Sequence, residues 1–241
     1  MYPQPTGAEG TGRRGVLVSF EGISGIGKSH LTRLVAQRLE MPLVVEEFSG
    51  RQQRGDLGSR IVTALAGAAD GDRFLRGGCT ASETLLLLAV QMHTWETFRV
   101  PLDTGRTVLE GRSLHSVAVY QAAALHPHDD PAALAQAHAL MREATAWRPA
   151  PDVTILLTDH VDSALRRAEQ RDGRPINAAE RAVHERCARL FQELTAGDPR
   201  VRLLDRAAQP DAQAAADRIA DWISTARPLP WPEPALEGVP A

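Results

Sequence analysis

The sequence predicts an α/β fold, a five-stranded parallel sheet with helices on both faces. Three observations lead there. Short apolar runs alternate with amphipathic stretches along most of the chain, the pattern of repeated strand–helix units. A glycine-rich turn, Gly22-Ile23-Ser24-Gly25-Ile26-Gly27-Lys28-Ser29, separates the first apolar run from the first helical stretch. At 241 residues the chain is long enough for one domain with a substantial core.

Each element follows from its pattern. Val16–Phe20 (VLVSF) is a short apolar run and reads as a buried parallel strand. After Lys28, Leu31, Leu34, Val35 and Leu39 recur at helical spacing. Further strands are expected at Pro42–Glu46, Thr107–Glu110, Val153–Thr158 and Val201–Asp205. Helices are expected over 58–68, 81–98, 113–125, 131–147, 162–171, 178–196 and 210–224. In such a sheet ligands bind at the carboxyl ends of the strands, so functional residues are expected just after each strand. Residues 1–14 are small, polar and glycine-rich and read as disordered; 15–226 form the domain; the proline-rich 227–241 reads as an extended tail.

Composition excludes several functions. A net charge of −3 argues against a broad nucleic-acid surface. No apolar run approaches the length of a membrane span. Cys79 and Cys187 lie far apart, in no metal spacing, and read as buried, reduced thiols of a cytoplasmic protein. His93, His115, His126 and His128 are scattered, without metal spacing.

The glycine-rich turn satisfies G-x-x-x-x-G-K-[ST], the phosphate-binding P-loop. Its glycines let backbone N–H groups turn inward around a phosphate, and the following helix N-terminus adds partial positive charge. The cradle runs through Gly22, Ser24, Gly25, Ile26, Gly27, Lys28 and Ser29 to His30. Lys28 would reach the β- and γ-phosphates, and the Ser29 hydroxyl would ligate Mg²⁺. Lys28 is the only lysine among 27 Lys and Arg residues. Where every other cation is arginine, a retained ammonium marks a site that needs a compact point charge rather than a planar fork.

The order of motifs resembles the thymidylate kinase family of P-loop nucleotide kinases, from about residue 15 to 224. Phe20-Glu21-Gly22 with the P-loop resembles F-E-G-x-D-G-x-G-K-S-T, and Gly111–Gln121 resembles D-R-Y-x-x-S-x-x-A-Y-Q. Pro151–Leu157 resembles the P-D-L-T-I-x-L strand, and Arg171-Asp172-Gly173-Arg174 an arginine-bearing lid, about 169–178. The resemblance implies a three-layer P-loop kinase fold that uses ATP and Mg²⁺. It makes Lys28, Arg112 and Arg171 catalytic and adds Arg171 and Arg174 to the ATP site.

The acceptor side departs from the family. Ser24 stands for its P-loop aspartate, Gly111 for the Asp of D-R-Y and Ser113 for the Tyr. Matched through Pro101, Gln91 replaces the acceptor-phosphate arginine, Leu87 replaces the phenylalanine that stacks on thymine, and Trp95 falls in the same helix. Two registers are open for Val45–Arg51: one puts Glu46 in place of an arginine, the other makes Arg51 a phosphate ligand. Glu47 is placed where related deoxynucleoside kinases carry a proton-accepting Glu, and Glu110 is either a base or a water-mediated Mg²⁺ ligand. Tyr120 is expected in the acceptor wall. The expectation is therefore an ATP-dependent phosphotransferase acting on a hydroxyl of a nucleoside or a polyhydroxylated or aminated small molecule. The alternatives are thymidylate kinase itself and a non-catalytic nucleotide-binding module. The family and the run Leu85–Leu88 suggest a homodimer.

Overall fold

The computed structural model describes residues 14–45 and 55–228. Five strands form one sheet in the order β2-β3-β1-β4-β5. They are β1 (Leu17–Glu21), β2 (Leu43–Val45), β3 (Val108–Gly111), β4 (Val153–Thr158) and β5 (Val201–Asp205). All four pairings are parallel. β1 lies at the centre, with Phe20 opposite Gly111 of β3 and Ile155 of β4. Every residue of β1 is buried, as its uninterrupted apolar run requires.

Among the described residues eight helices surround the sheet: α1 (Lys28–Ala36), α2 (Leu57–Ala68), α3 (Thr80–Asp103), α4 (Leu114–Leu125), α5 (Asp130–Thr145), α6 (Val161–Asp172), α7 (Ala178–Thr195) and α8 (Ala212–Ser224). α1 packs on α8, and α4 packs on α3, α5 and α7. All the elements expected from the sequence are present. The largest shift is in α3, which runs five residues past the expected end and through Pro101. A proline in the last turn disturbs few intrahelical bonds, and burial of Phe98 and Leu102 against Leu17 holds that turn in place.

The ends of the chain differ in part from expectation. Arg14, placed in the loose N-terminal segment, pairs with both carboxylate oxygens of Asp152, at 2.8 and 2.7 Å. Asp152 also accepts from Leu17 N–H at 2.8 Å, which fixes the start of β1 beside β4. The expected disorder of residues 1–13 and the extended tail beyond 228 lie outside the described residues. No described helix is long and apolar enough to cross a membrane. Cys187 is buried, whereas Cys79 is exposed in the turn before α3, contrary to expectation.

The phosphate loop is pressed against α6. A Cβ on Gly25, whose φ is +73°, would lie 1.9 Å from the Ala164 carbonyl oxygen. Arg167 Nε donates to Gly25 O at 2.8 Å, tying the same two segments. Gly25→Ala should therefore destabilise the fold well beyond the roughly 1 kcal/mol cost of a left-handed alanine. Gly197→Ala, with a φ of +78° and open space around it, should show only that cost. Thermal melts of the two variants test this, and equal shifts would remove the clash as the cause.

Candidate active site

The carboxyl ends of β1 and β3 open onto one cavity of about 710 Å³. Ser24 and Ser29 of the phosphate loop line one part of it. Gly111, Arg112 and Tyr120 line another, and Arg171 and Asp172 at the end of α6 close over it. Lys28 is buried, and its Nζ donates to the carbonyls of Gly22 at 3.1 Å and Ile23 at 2.9 Å. The ammonium is thus fixed within the loop by main-chain oxygens, a geometry that suits a narrow cation.

Arg171, at the end of α6, lines the cavity beside the phosphate loop. Arg171 Nη2 donates to Ser24 Oγ at 3.2 Å, and Arg171 Nε donates to Asp172 at 2.6 Å. Arg174 turns away from the phosphate loop: it donates to Gly71 O at 2.8 Å and pairs with Glu180. Glu180 in turn completes a capping box with Asn177 at the start of α7. His30 is exposed and points out of the cradle's lining.

Arg112 enters the cavity from a left-handed backbone, φ +60°, a strained conformation for a non-glycine residue. Three contacts hold it there. Its N–H donates to Phe20 O at 3.1 Å, its carbonyl accepts from Gln91 Nε2 at 3.1 Å, and its guanidinium lies 5.5 Å over the Tyr120 ring. Behind it sits a network the sequence reading missed. Arg148, fully buried, donates to Gln91 Oε1 at 2.9 Å and to Glu110 at 2.8 and 3.3 Å.

Three expectations are corrected, two of them by this network. Glu110 is neither a base at the cavity nor a Mg²⁺ ligand, because its carboxylate is buried and taken by Arg148. Gln91 is buried and does not line the cavity; its amide joins Arg148 to the Arg112 backbone. Trp95 does not line the cavity either, being packed with Leu17, Val45, Phe98 and Leu102. Leu87 and Tyr120 do line it. Glu46, Glu47 and Arg51, with both registers proposed for them, lie outside the described residues.

Other cavity residues were not singled out from the sequence. Arg33, Arg73, Phe74 and His184 all line it. The only available signal was an aromatic residue between arginines in a turn-rich stretch, Gly71-Asp72-Arg73-Phe74-Leu75-Arg76-Gly77-Gly78.

Glu21 ends β1 beneath the site. Its carboxylate accepts from Ser113 N–H at 2.8 Å and from Ser116 Oγ at 2.5 Å. Burial pushes its pKa up to about 7, against those two hydrogen bonds, which favour the ionised form.

Two outcomes follow. Removing one partner of a buried ion pair leaves an uncompensated charge, so Arg148→Met should cost about 3–5 kcal/mol. Adding Glu110→Gln to Arg148→Met should recover much of that; denaturant titration of both variants checks it. For Glu21, a folded pKa raised above the ordinary value means that the folded chain binds the proton more tightly. Its contribution to stability is then largest below about pH 4.5 and is lost as pH rises through about 7. Glu21→Gln should gain on the wild type by about 3 kcal/mol across that window. A constant difference between unfolding free energies at the two ends of the window would reject this.

Comparison with known proteins agrees with the geometry. The thymidylate kinase family profile matches residues 20–218. Thymidylate kinase of Rhodopseudomonas palustris (strain TIE-1) is 30% identical over 229 residues, spanning 93% of this chain and 94% of that protein. Thymidylate kinase of Caulobacter vibrioides is 30% identical over 213 residues, 88% of this chain and 95% of that one. The solved thymidylate kinase of Candida albicans shares the fold, with a TM-score of 0.69 at 18% identity over 89% of this chain and 93% of that one. Similarity along nearly the full length of these chains places this protein in the thymidylate kinase family, as an ATP-dependent kinase.

Proposed function

We propose that the protein transfers the γ-phosphate of ATP to the phosphate of dTMP, forming dTDP, and that it works as a cytoplasmic homodimer. The observation that carries this reading is the charge of the cavity. Among the described residues four arginines line it (Arg33, Arg73, Arg112 and Arg171), against one carboxylate, Asp172, which is itself held by Arg73 and Arg171. Such a lining favours two phosphorylated ligands over a neutral or aminated acceptor. The relatives named above are thymidylate kinases, which points the same way.

The hydroxyl-acceptor reading loses support on the same ground. It needs a positioned base; Glu110 is engaged by Arg148, and the other candidate, Glu47, lies outside the described residues. A phosphate oxygen is already ionised near neutral pH and attacks without one. In the transfer an acceptor phosphate oxygen bonds to the γ-phosphorus while the bond to the ADP oxygen breaks, and charge spreads over the moving group. The loop N–H groups and Lys28 would hold the ATP phosphates. Arg171, next to Ser24, would meet the developing charge, and Arg112 would hold the acceptor end.

The donor set fits Mg²⁺ held mainly by substrate. Ser29 lines the cavity, and among the described residues no group of three His, Cys, Asp or Glu side chains could hold a metal. Mg²⁺ commonly keeps waters and takes substrate phosphates with few protein ligands. When bound it would neutralise phosphate charge, with Ser29 as its protein ligand. For the dimer, the support is that Leu85 and Leu86 of α3 are 69% and 40% exposed on an apolar helix face.

Steady-state kinetics tests the acceptor. dTMP should be turned over with kcat/KM of about 10⁴ M⁻¹s⁻¹ or more, and thymidine poorly. Efficient turnover of thymidine with none of dTMP would overturn the proposal and restore the hydroxyl acceptor. Lys28→Arg should lose most activity, since a planar fork cannot occupy the place of the ammonium.

A further inference from the structure

The acceptor side of the cavity has an aromatic end that the family motifs do not account for. Phe74, in the connection between α2 and α3, faces Tyr120 with ring centroids 5.9 Å apart and planes 29° apart. His184 of α7 meets the Phe74 ring edge-on at 5.0 Å. Leu87, which occupies the position the resemblance gives to a stacking phenylalanine, contributes only an aliphatic wall there, as does Val117.

Two buried nitrogens at this end have no hydrogen-bond partner among the described residues. They are Arg73 Nε, which lies 3.6 Å from a Glu180 carboxylate oxygen, and His184 Nε2. Buried polar atoms are rarely left so, and each invites a partner. Burial and the neighbouring cations Arg112, Lys28 and Arg73 push the His184 pKa down to about 3, so its imidazole is neutral at physiological pH. A neutral imidazole offers one donor and one acceptor, which suits the polar edge of a heterocycle.

The segment carrying Phe74 is also strained. Asp70 (φ +44°), Gly71 (φ +83°), Leu75 (φ +59°) and Gly78 (φ +108°) all have left-handed backbone. A left-handed leucine in particular persists only where its surroundings impose it. Here an Asx turn does so, with Phe74 N–H donating to Asp72 Oδ1 at 2.8 Å. Arg73 donates to Arg174 O at 2.8 Å and pairs with Asp172, which anchors the segment to the lid.

We propose that Arg73 and Phe74 form the base-binding part of the acceptor site in this chain. The base of the nucleoside monophosphate stacks on the Phe74 ring beside Tyr120, with Arg73 and His184 at its polar edge. The stacking ring thus comes from the α2–α3 connection instead of from α3, where Leu87 offers no ring. Seating the base parts the Phe74 and Tyr120 rings. This inference rests on the nucleotide acceptor proposed above.

Calorimetric binding of dTMP to the wild type, Phe74→Leu and Phe74→Tyr tests it, with KM for ATP measured alongside. Leucine keeps the apolar volume and loses the ring, while tyrosine keeps the ring. Base stacking on an aromatic side chain predicts a loss of dTMP affinity of about ten- to a hundredfold in Phe74→Leu, near-wild-type affinity in Phe74→Tyr and an unchanged KM for ATP. Equal dTMP affinity in wild type and Phe74→Leu would overturn the base site and leave the acceptor reading standing. Loss in both variants, or a matching rise in the KM for ATP, would make Phe74 a plain packing residue and overturn it too. A wild type that does not bind dTMP would overturn both readings together.

Discussion

The carboxylate of Glu21 is buried at the end of the central strand, where the phosphate loop begins, and the arrangement of the site is referred to it. One oxygen takes the N–H of Ser113, and the other takes the hydroxyl of Ser116. These two contacts join the end of β1 to the first turn of α4. Arg112 lies between the parts so joined, which leaves its backbone little freedom. Without an acceptor at the end of β1, the N-terminus of α4 would carry unsatisfied N–H groups into the core. The position that begins the phosphate loop therefore also fixes Arg112, which lines the cavity.

A second constraint reaches Arg112 from the other side. Glu110, Arg148 and Gln91 form a buried polar group whose last member bonds to the Arg112 carbonyl. The pair brings together the end of β3 and the connection between α5 and β4. Buried charges are tolerated when paired and hydrogen-bonded. Here they support a left-handed arginine that the local sequence would not choose. The same network accounts for the orientation of Gln91: its amide faces Arg148 rather than the cavity.

The lid and the α2–α3 connection form a third unit. Arg174 reaches Gly71, Arg73 reaches Asp172 and the Arg174 carbonyl, and Glu180 caps α7 while pairing with Arg174. Arg171 is left directed at Ser24 of the phosphate loop. The walls that face the two ends of the cavity are thus tied to each other by charge-assisted contacts, although they lie about a hundred residues apart in sequence.

By itself the sequence determined the sheet, the helices and the phosphate loop. Those features are local: hydrophobic period, glycine spacing and a lone lysine are written in consecutive residues. It also placed Arg112 and Arg171 at the cavity, since residues just after strands and at the end of a lid helix are positioned by topology. Tertiary structure alone decided the acceptor end. Nothing near Glu110 in sequence announces that Arg148 will neutralise it, because the pair forms only when β3 and the α5–β4 connection meet. Gln91 looks like a lost ligand until Arg148 is seen beside it. Arg73 and Phe74 lie in an irregular connection with no periodicity to read, and they join the cavity only because Asp172, Arg174 and Tyr120 come to them through the fold. Polar partnership between distant segments carries no sequence period, and it is this partnership that sets which side chains line the cavity.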